Sequence, residues 1–279
     1  MQNRRHVLGR EAGSTDDHVT DPPGENRGDR LRLLSFNIQV GIQTESFHHY
    51  FTRGWQHLLP TPQRIPQLDR IARLLTDYDV VALQETDGGS LRSGFVNQVE
   101  YLADVAGFPY WYLQRNRDLG MLAQNGNGLL SRAVPQYIED HKLPGKIPGR
   151  GAILCCLRSG EESLALVIVH LSLGPKDRAR QLAYLREMIA DYRHVVLMGD
   201  MNTQLHPLLQ QSPLKYADLH SPVAGVKTYP SWRPKLCLDH ILLSSELSVN
   251  YAQTADCNRS DHLPIAVEIS LPYRSSGRH

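Results

Sequence analysis

The chain has 279 residues, of which 41% are hydrophobic, and this is enough for one large α/β domain with a sizeable core. Its formal net charge is +1 and its pI is near 7.8, which speaks against a protein that coats long stretches of nucleic acid through a general basic excess. No run of about 18 apolar residues predicts a membrane span, and four cysteines without zinc-ligand spacing favour a reducing compartment, so we expect a cytoplasmic protein.

The two ends of the chain predict tails around a single domain. Residues 1–29 are polar and rich in Gly, Pro and Asp, which is typical of a disordered segment. We expect one domain over residues 30–272 and a short C-terminal tail over 273–279. The aromatic segment 47–59 is predicted to be part of a surface insertion. It either lines the rim of a cleft, makes peripheral contact with a membrane or forms a helix that packs on the rest of the domain.

The spacing of apolar residues predicts three helices and nine strands. Leu182, Leu185 and Ile189 recur on one face and mark the clearest of these helices. The predicted helices are Ile65–Tyr78, Phe95–Ala106 and Arg178–Tyr192, and the predicted strands are Leu31–Asn37, Asp79–Glu85, Tyr110–Leu113, Gly128–Ser131, Ile153–Leu157, Leu164–His170, Val195–Met198, Leu238–Leu243 and Ile265–Ile269.

Two of the predicted strands contain an uninterrupted apolar run. Val80–Leu83 and Leu164–Val169 lack polar alternation, which is typical of strands covered on both faces. The order of elements mixes strand hairpins with helical crossovers. We therefore expect a four-layer α/β sandwich in which two mixed β-sheets pack face to face and the helices lie outside.

Five of the apolar strands end in polar residues. These residues are Asn37, Glu85, His170, Asp200 and Asp239. A single Asp or Asn after a strand is more often a turn former or helix cap, but five in one chain favour a shared polar cleft. Carboxylates, a carboxamide and imidazoles are the groups with which a hydrolase binds a hard divalent cation and transfers a proton.

The segments around these residues resemble the endonuclease/exonuclease/phosphatase superfamily. The similar segments appear in family order and span residues 31–269: Ser35-Phe36-Asn37, Leu83-Gln84-Glu85, Gly126-Asn127-Gly128-Leu129-Leu130-Ser131, Val169-His170-Leu171, Gly199-Asp200-Met201-Asn202, Leu238-Asp239-His240 and Ser260-Asp261-His262. The resemblance implies a DNase I-like fold and hydrolysis of phosphoric esters with Mg²⁺ or Mn²⁺.

The resemblance also implies a set of metal-binding residues. Glu85 would be the principal cation ligand, helped by Asn37, and Asp261 would complete the set. Asp200 and Asn202 would hold the scissile phosphate or a second cation. Side chains alternate along a strand, so these two can point the same way if the extended backbone continues past Gly199.

Proton transfer is assigned to histidines and carboxylates. The resemblance implies that Asp239 orients His262, which would deprotonate the attacking water, while His170 would donate to the phosphate or the leaving oxygen. Asp200 is also a plausible base, and the sequence leaves this choice open. His240 follows Asp239 on a strand, so we expect it to point the opposite way and to pack as a structural residue.

Substrate contacts are expected from three places. The loop from Thr228 to Lys235 offers Tyr229, Trp232 and Arg233, aromatic faces beside cations, although Trp232 alternatively plugs the core. Arg150 ends a Gly- and Pro-rich loop that either contacts phosphate or is an ordinary solvated loop. Asn127 belongs to one of the similar segments and is assigned to substrate binding on that basis.

The reaction class is better defined than the substrate. We expect a phosphodiester substrate, with nucleic acid favoured, while a phospholipid or a phosphorylated small molecule is the alternative and no stable protein partner is inferred. Arg178 and Gln181 follow His170-Leu171 in a spacing that resembles bacterial members of the superfamily. A third hypothesis, a catalytically inactive binding module, is disfavoured because the metal and histidine positions are intact.

Overall fold

The computed structural model describes residues 5–6, 30–41, 64–118, 122, 124–146, 149–157, 163–255, 257 and 259–271. The strands are β1 (Arg5–His6), β2 (Arg30–Asn37), β3 (Val80–Asp87), β4 (Tyr110–Asp118), β5 (Gln124–Ser131), β6 (Tyr137–Lys142), β7 (Gly151–Cys156), β8 (Leu164–His170), β9 (His194–Asp200), β10 (Leu219–His220), β11 (Asp239–Ser244), β12 (Ser248–Thr254) and β13 (Ile265–Ser270). The helices are α1 (Arg64–Leu75), α2 (Gln98–Ala106), α3 (Pro175–Ile189) and α4 (Leu205–Gln210).

The strands form two mixed sheets. The seven-stranded sheet has the order β1-β6-β7-β8-β9-β11-β10, and the six-stranded sheet has the order β12-β13-β2-β3-β5-β4. Each sheet contains one parallel pair, β8 with β9 and β2 with β3, and the other pairs are antiparallel. The carboxyl ends of both parallel pairs lie at the same end of the sandwich, because Asn37 on β2 contacts Asp200 on β9.

Alternation along the strands builds three apolar layers. On β8, Leu164, Leu166 and Ile168 pack between the sheets, whereas the intervening residues face α3. The outer face of the six-stranded sheet packs in the same way against α1 and α2. Burial on both faces explains why these strands are apolar throughout, and the predicted four-layer sandwich is confirmed.

Two predicted helix starts differ from the structure. The helix expected from Phe95 begins at Gln98, because Asn97 caps it by accepting a hydrogen bond from the Glu100 backbone N–H (3.4 Å). Phe95 itself has φ 65° and lies outside the helix. The helix expected from Arg178 begins earlier, at Pro175, whose fixed φ suits the first helical turn.

Several expectations concern residues that the structure does not describe. Segment 47–59 and the tail 273–279 lie outside the described residues, as does the tail 1–29 except for Arg5 and His6, which pair with β6. Within the described ranges, no helix is both long enough and apolar enough to cross a membrane.

Candidate active site

Three polar side chains stand in a row at one edge of the seven-stranded sheet. Asp200 is the direct ladder partner of His170 on one side and of Asp239 on the other. Each lies two residues along its strand from a residue that packs between the sheets, and these neighbours are Ile168, Met198 and Ile241. Because side chains alternate along a strand, all three polar side chains point to the same face as these neighbours. The row therefore faces the gap between the two sheets, and all three residues are buried there.

The six-stranded sheet contributes Asn37 and Glu85 to the same gap. Asn37 is the last residue of β2. Regular alternation along β3 would instead point Glu85 towards the outer helices, on the same face as Val81 and Leu83. The pairing of β3 with β5 shifts between Leu83 and Thr86, and Glu85 has φ 54° within this bulge. A bulge changes the direction of a side chain, and here it lets Glu85 Oε1 accept a hydrogen bond from Asn37 Nδ2 (3.2 Å).

Asp200 is the centre of the cluster. Its Oδ2 accepts a hydrogen bond from Asn37 Nδ2 (3.2 Å) and lies 3.5 Å from His170 Nε2 and 3.8 Å from His262 Nε2. His170 Nε2 is also 3.9 Å from Glu85 Oε1. One carboxylate oxygen thus links both sheets and both histidines.

His262 and Asp239 form a buried pair. The His262 Nδ1 atom lies 2.8 Å from Asp239 Oδ2, so Asp239 fixes the orientation of the ring. The loop before β11 holds this segment, because the Ser231 N–H donates to the Asp261 carbonyl (2.7 Å) and the Leu263 N–H donates to Thr228 (2.9 Å). The Tyr229 ring packs on the imidazole, with 4.9 Å between the ring centroids.

The site raises the pKa of its acids. Burial is the main cause that raises the pKa of Asp200 to about 7, and the charges of Asp239 and Glu85 add to it. Burial likewise raises the pKa of Asp261 to about 6, although the Ser260 hydroxyl donates to its Oδ1 (3.3 Å). Both carboxyl groups therefore change protonation in or near the neutral range.

The two histidines are shifted in opposite directions. Burial alone lowers the pKa of His262, but the carboxylates around it, led by Asp239 and Asp200, raise its pKa well above the usual value. Burial lowers the pKa of His170 well below the usual value, and the cations Arg150 and His262 lower it further. At neutral pH, His262 is the protonated imidazole and His170 the neutral one.

The backbone turns directly after Asp200. Gly199 has φ 144°, and a Cβ atom there would lie 1.9 Å from the Val169 carbonyl oxygen, so the close approach of β8 and β9 requires glycine. Asn202 has φ 51°, and its side chain donates to the Leu171 carbonyl (2.9 Å). The condition under which Asp200 and Asn202 would point the same way is not met, because β9 ends at Asp200 and the extended backbone does not continue to Asn202.

The residues assigned to substrate binding occupy different environments. Arg150 is half-buried and interacts electrostatically with Glu85 and Asp200, while burial lowers its pKa. Asn127 is buried, and its Nδ2 donates to Gln114 Oε1 (3.1 Å) and to the Gly151 carbonyl (3.0 Å). On the loop before β11, Trp232 is half-buried and Arg233 is exposed. Substrate contact by these residues stays a prediction.

Supporting residues hold the loops that carry the site. His240 faces away from the row, and its Nε2 lies 2.8 Å from the Thr203 carbonyl in the turn after Asp200. Arg178 donates to the Ser172 carbonyl (3.1 Å), and Gln181 accepts from the Ser172 N–H (2.9 Å). Gln114 was not predicted, because it follows the predicted strand Tyr110–Leu113, and a polar residue at the end of a strand gives no distinctive signal.

The charges of the site fit a divalent cation. Within the part of the chain that the structure describes, the four carboxylates of the site (Glu85, Asp200, Asp239 and Asp261) interact with two cationic side chains, Arg150 and protonated His262, which leaves two uncompensated negative charges when all four acids are ionised. Asp239 Oδ1 is buried without a hydrogen-bond partner among the described residues. Oxygen-rich, negatively charged sites of this kind suit Mg²⁺ or Mn²⁺.

Two groupings of possible ligand atoms overlap here. Atoms of Asp200, Asp239 and His262 lie within 4.8 Å of one another. The 2.8 Å contact between His262 and Asp239 is better explained as a hydrogen bond, which ligation would break. Glu85, Asp200 and Asn37 form the other grouping, in which the Asn37 amide would have to turn over, because its Nδ2 now faces the carboxylates.

The chain is similar to known phosphoesterases in sequence pattern and in fold. The family model described as "Endonuclease/Exonuclease/phosphatase family" matches residues 34–262. No curated protein sequence matches the chain.

Three solved structures illustrate the similarity in fold. An endonuclease/exonuclease/phosphatase from Beutenbergia cavernae is 18% identical with a TM-score of 0.66, covering 87% of this chain and 72% of that one. Humanized D. rerio TDP2 is 18% identical with a TM-score of 0.61, covering 86% and 99%. A mannosyl-6-phosphatase from Bacteroides thetaiotaomicron is 16% identical with a TM-score of 0.59, covering 86% and 100%.

Proposed function

The chain belongs to the endonuclease/exonuclease/phosphatase family, and from this premise we propose that it is a divalent-metal-dependent phosphodiesterase of the nuclease type. The observation that carries the proposal is the convergence on Asp200 Oδ2 of Asn37, His170 and His262 from separate elements, at 3.2, 3.5 and 3.8 Å. Activation of water for in-line attack on phosphorus needs a base, a group that stabilises the developing negative charge and a cation site, and these must lie close to one another.

Asp200 is proposed as the proton acceptor for the attacking water. A general base works best when its pKa lies near the working pH, and burial raises the pKa of Asp200 to about 7. His262 is protonated at that pH, so it donates to a phosphate oxygen instead of accepting the proton. We therefore propose Asp200 instead of His262 as the base, a choice that the sequence leaves open.

The remaining site residues bind and orient the phosphate. Protonated His262 is held by Asp239, and Arg150, which directly precedes β7 next to the His170 end of β8, supplies a second positive charge. Glu85, Asn37, Asp200 and Asp261 are the residues proposed to hold Mg²⁺ or Mn²⁺. When bound, the cation neutralises negative charge that develops on the phosphate oxygens.

Nucleic acid is the proposed substrate because of the loop before β11. Tyr229 packs directly on His262, and the same loop carries half-buried Trp232 and exposed Arg233. Aromatic rings next to cations bind successive bases and phosphates of a single strand. A local set of such groups is compatible with the near-neutral charge of the whole chain.

The test compares three substrates with purified protein. Single-stranded or plasmid DNA, sphingomyelin or phosphatidylinositol vesicles and bis-p-nitrophenyl phosphate are incubated with Mg²⁺, Mn²⁺ or EDTA. Cation-dependent cleavage of DNA and of bis-p-nitrophenyl phosphate is the expected result. Activity on vesicles alone would replace the nucleic-acid substrate by a phospholipid, and turnover that persists in EDTA would overturn metal dependence.

Variants test whether the measured turnover comes from this site or from a contaminating enzyme. His262→Ala should lose most of the turnover, and its melting temperature should also fall, because the buried Asp239 carboxylate loses its imidazole partner. His220→Ala removes an exposed histidine on β10 and serves as the matched control, with turnover like that of the wild type. Equal turnover in the two variants would remove His262 from the proposed mechanism.

A further inference from the structure

A buried chain of polar side chains joins the two sheets beside the site. Gln114 on β4 uses its Nε2 to donate to Asp140 Oδ1 (2.5 Å) and to the Ala152 carbonyl (2.9 Å). Its Oε1 accepts from Asn127 Nδ2 (3.1 Å), which also donates to the Gly151 carbonyl (3.0 Å). Gln114 and Asn127 belong to the six-stranded sheet, whereas the other three residues belong to the seven-stranded sheet.

This polar connection differs from the rest of the contact between the sheets. Apart from this chain and the candidate active site, much of the layer between the sheets is apolar, and apolar packing has little directional preference. Hydrogen bonds are directional, and an amide buried without its partners is costly, so the polar chain fixes how β4 and β5 lie against β7. Gln114 and Asn127 are both fully buried, which strengthens this requirement.

The polar chain ends at the residue that follows Arg150. Gly151 is the first residue of β7, and a Cβ atom there would lie 2.1 Å from Asn116 Oδ1 and 2.4 Å from Gln114 Oε1. The Arg150 carbonyl accepts a hydrogen bond from the Leu143 N–H (3.0 Å), which restrains the same backbone a second time. The backbone that presents Arg150 to Glu85 and Asp200 is thus fixed from the opposite sheet.

We propose that Gln114 and Asn127 are positioning residues for Arg150. The proposal rests on the proposed function, in which Arg150 binds the phosphate. It gives Asn127 a role through Arg150 in place of the direct substrate contact suggested by the sequence. Displacement of a charged group by about 1 Å costs up to about 100-fold in rate, so loss of either amide lowers turnover without removing a group that touches the substrate.

A double-mutant cycle on bis-p-nitrophenyl phosphate with Mg²⁺ tests the proposal. Arg150→Ala should lower kcat/KM by about 100-fold or more, as removal of one charge-stabilising donor does. Asn127→Ala should lower it by about 10-fold. In the double variant, Asn127→Ala should add less than about twofold, because no guanidinium remains to be positioned.

A control and a second variant keep the result interpretable. Ser244→Ala removes a buried hydroxyl that accepts from the Val195 N–H (3.0 Å) at the far end of β9, and its kcat/KM should stay within about twofold of the wild type. Gln114→Ala breaks the same polar chain at its other amide and replaces Asn127→Ala if that variant does not fold.

The outcomes distinguish this proposal from the proposed function. Effects of Asn127→Ala and Arg150→Ala that multiply in the double variant would overturn the positioning role, as would wild-type turnover in Asn127→Ala. Wild-type turnover in Arg150→Ala would instead remove Arg150 from the mechanism. Absence of metal-dependent turnover in the wild-type protein itself would overturn the proposed function.

Discussion

In the seven-stranded sheet, His170, Asp200 and Asp239 stand side by side on three neighbouring strands, whereas the six-stranded sheet brings Glu85 to the same gap only through a bulge. Regular pairing places the row without backbone strain at its members. The left-handed backbone of Glu85 costs about 1–3 kcal/mol, which the surrounding structure must offset. In the proposed function, the regular row serves proton transfer, and the strained Glu85 binds the cation together with Asp200.

The largest effect is expected from the centre of the row. Asp200→Asn keeps the shape of the side chain but removes the proton acceptor and one cation ligand, so kcat should fall by about 1,000-fold. The melting temperature of the metal-free variant should not fall, because a buried carboxylate close to Asp239 and Glu85 is replaced by a neutral group. Steady-state kinetics and thermal unfolding measure the two effects, and more than a tenth of wild-type kcat would contradict the assignment.

The spacing of the row depends on the closest approach of β8 and β9. Gly199→Ala would place a methyl group against the Val169 carbonyl, so we expect a loss of about 3 kcal/mol in the free energy of unfolding. Gly174→Ala is the matched control, since no atom lies within 4 Å of its added Cβ, and its change should stay within about 0.5 kcal/mol. Urea unfolding compares them, and equal stability would show that the row tolerates wider spacing.

The row could be predicted from the sequence, whereas the bulge could not. His170, Asp200 and Asp239 each end or begin an apolar strand, so strand alternation and shared edges predict that they meet. Glu85 also follows an apolar strand, but alternation places it on the outer face, and only the shift opposite Asn127 corrects this. Bulges depend on pairing between distant strands, which a single strand's pattern does not contain.

The same limit applies to the supporting residues. The four-layer fold follows from strands that are apolar on both faces, and His240 was expected to face away from the site. Gln114 and the Thr203 carbonyl gain their roles only from tertiary contacts, at 2.9 Å to Ala152 and 2.8 Å to His240. Secondary-structure propensity and the alternation of apolar residues describe one helix or strand at a time, so they do not predict contacts between distant elements.

The cation-binding role of Glu85 predicts a smaller effect on stability. Mg²⁺ at 100 times its Kd should stabilise the wild-type protein by about 2.7 kcal/mol, and Glu85→Gln should lose most of this increase. Glu268→Gln, on β13, is the control and should keep the full increase. Thermal unfolding with Mg²⁺ and with EDTA measures both, and an unchanged Mg²⁺ effect in Glu85→Gln would assign the cation to other ligands.

The smallest effect is the pH dependence of cation binding. Folding raises the pKa of Asp200 from 3.8 to about 7 and of Asp261 from 3.8 to about 6, so the stability that the metal-free protein gains from them is fully present below about pH 3.8 and is lost progressively as the pH rises from there through 6 and 7. Cation binding requires the ionised forms, so it has the opposite dependence. The affinity for Mg²⁺ should weaken by about tenfold, or about 1.4 kcal/mol, for each proton displaced per pH unit, so we expect about tenfold between pH 7 and 6, where Asp200 is protonated, and up to about 100-fold per unit below pH 6, where both acids are protonated.

Titration calorimetry at pH 5, 6 and 8 measures this dependence, and buffers of different ionisation enthalpy report the protons released. Removal of the more strongly shifted acid in Asp200→Asn should confine the remaining pH dependence to Asp261 and shift its onset towards pH 6. A Kd for Mg²⁺ that is the same at pH 5 and pH 8 would mean that neither acid binds the cation. The bulge-borne Glu85 would then be the main carboxylate ligand, separate from a row that serves proton transfer alone.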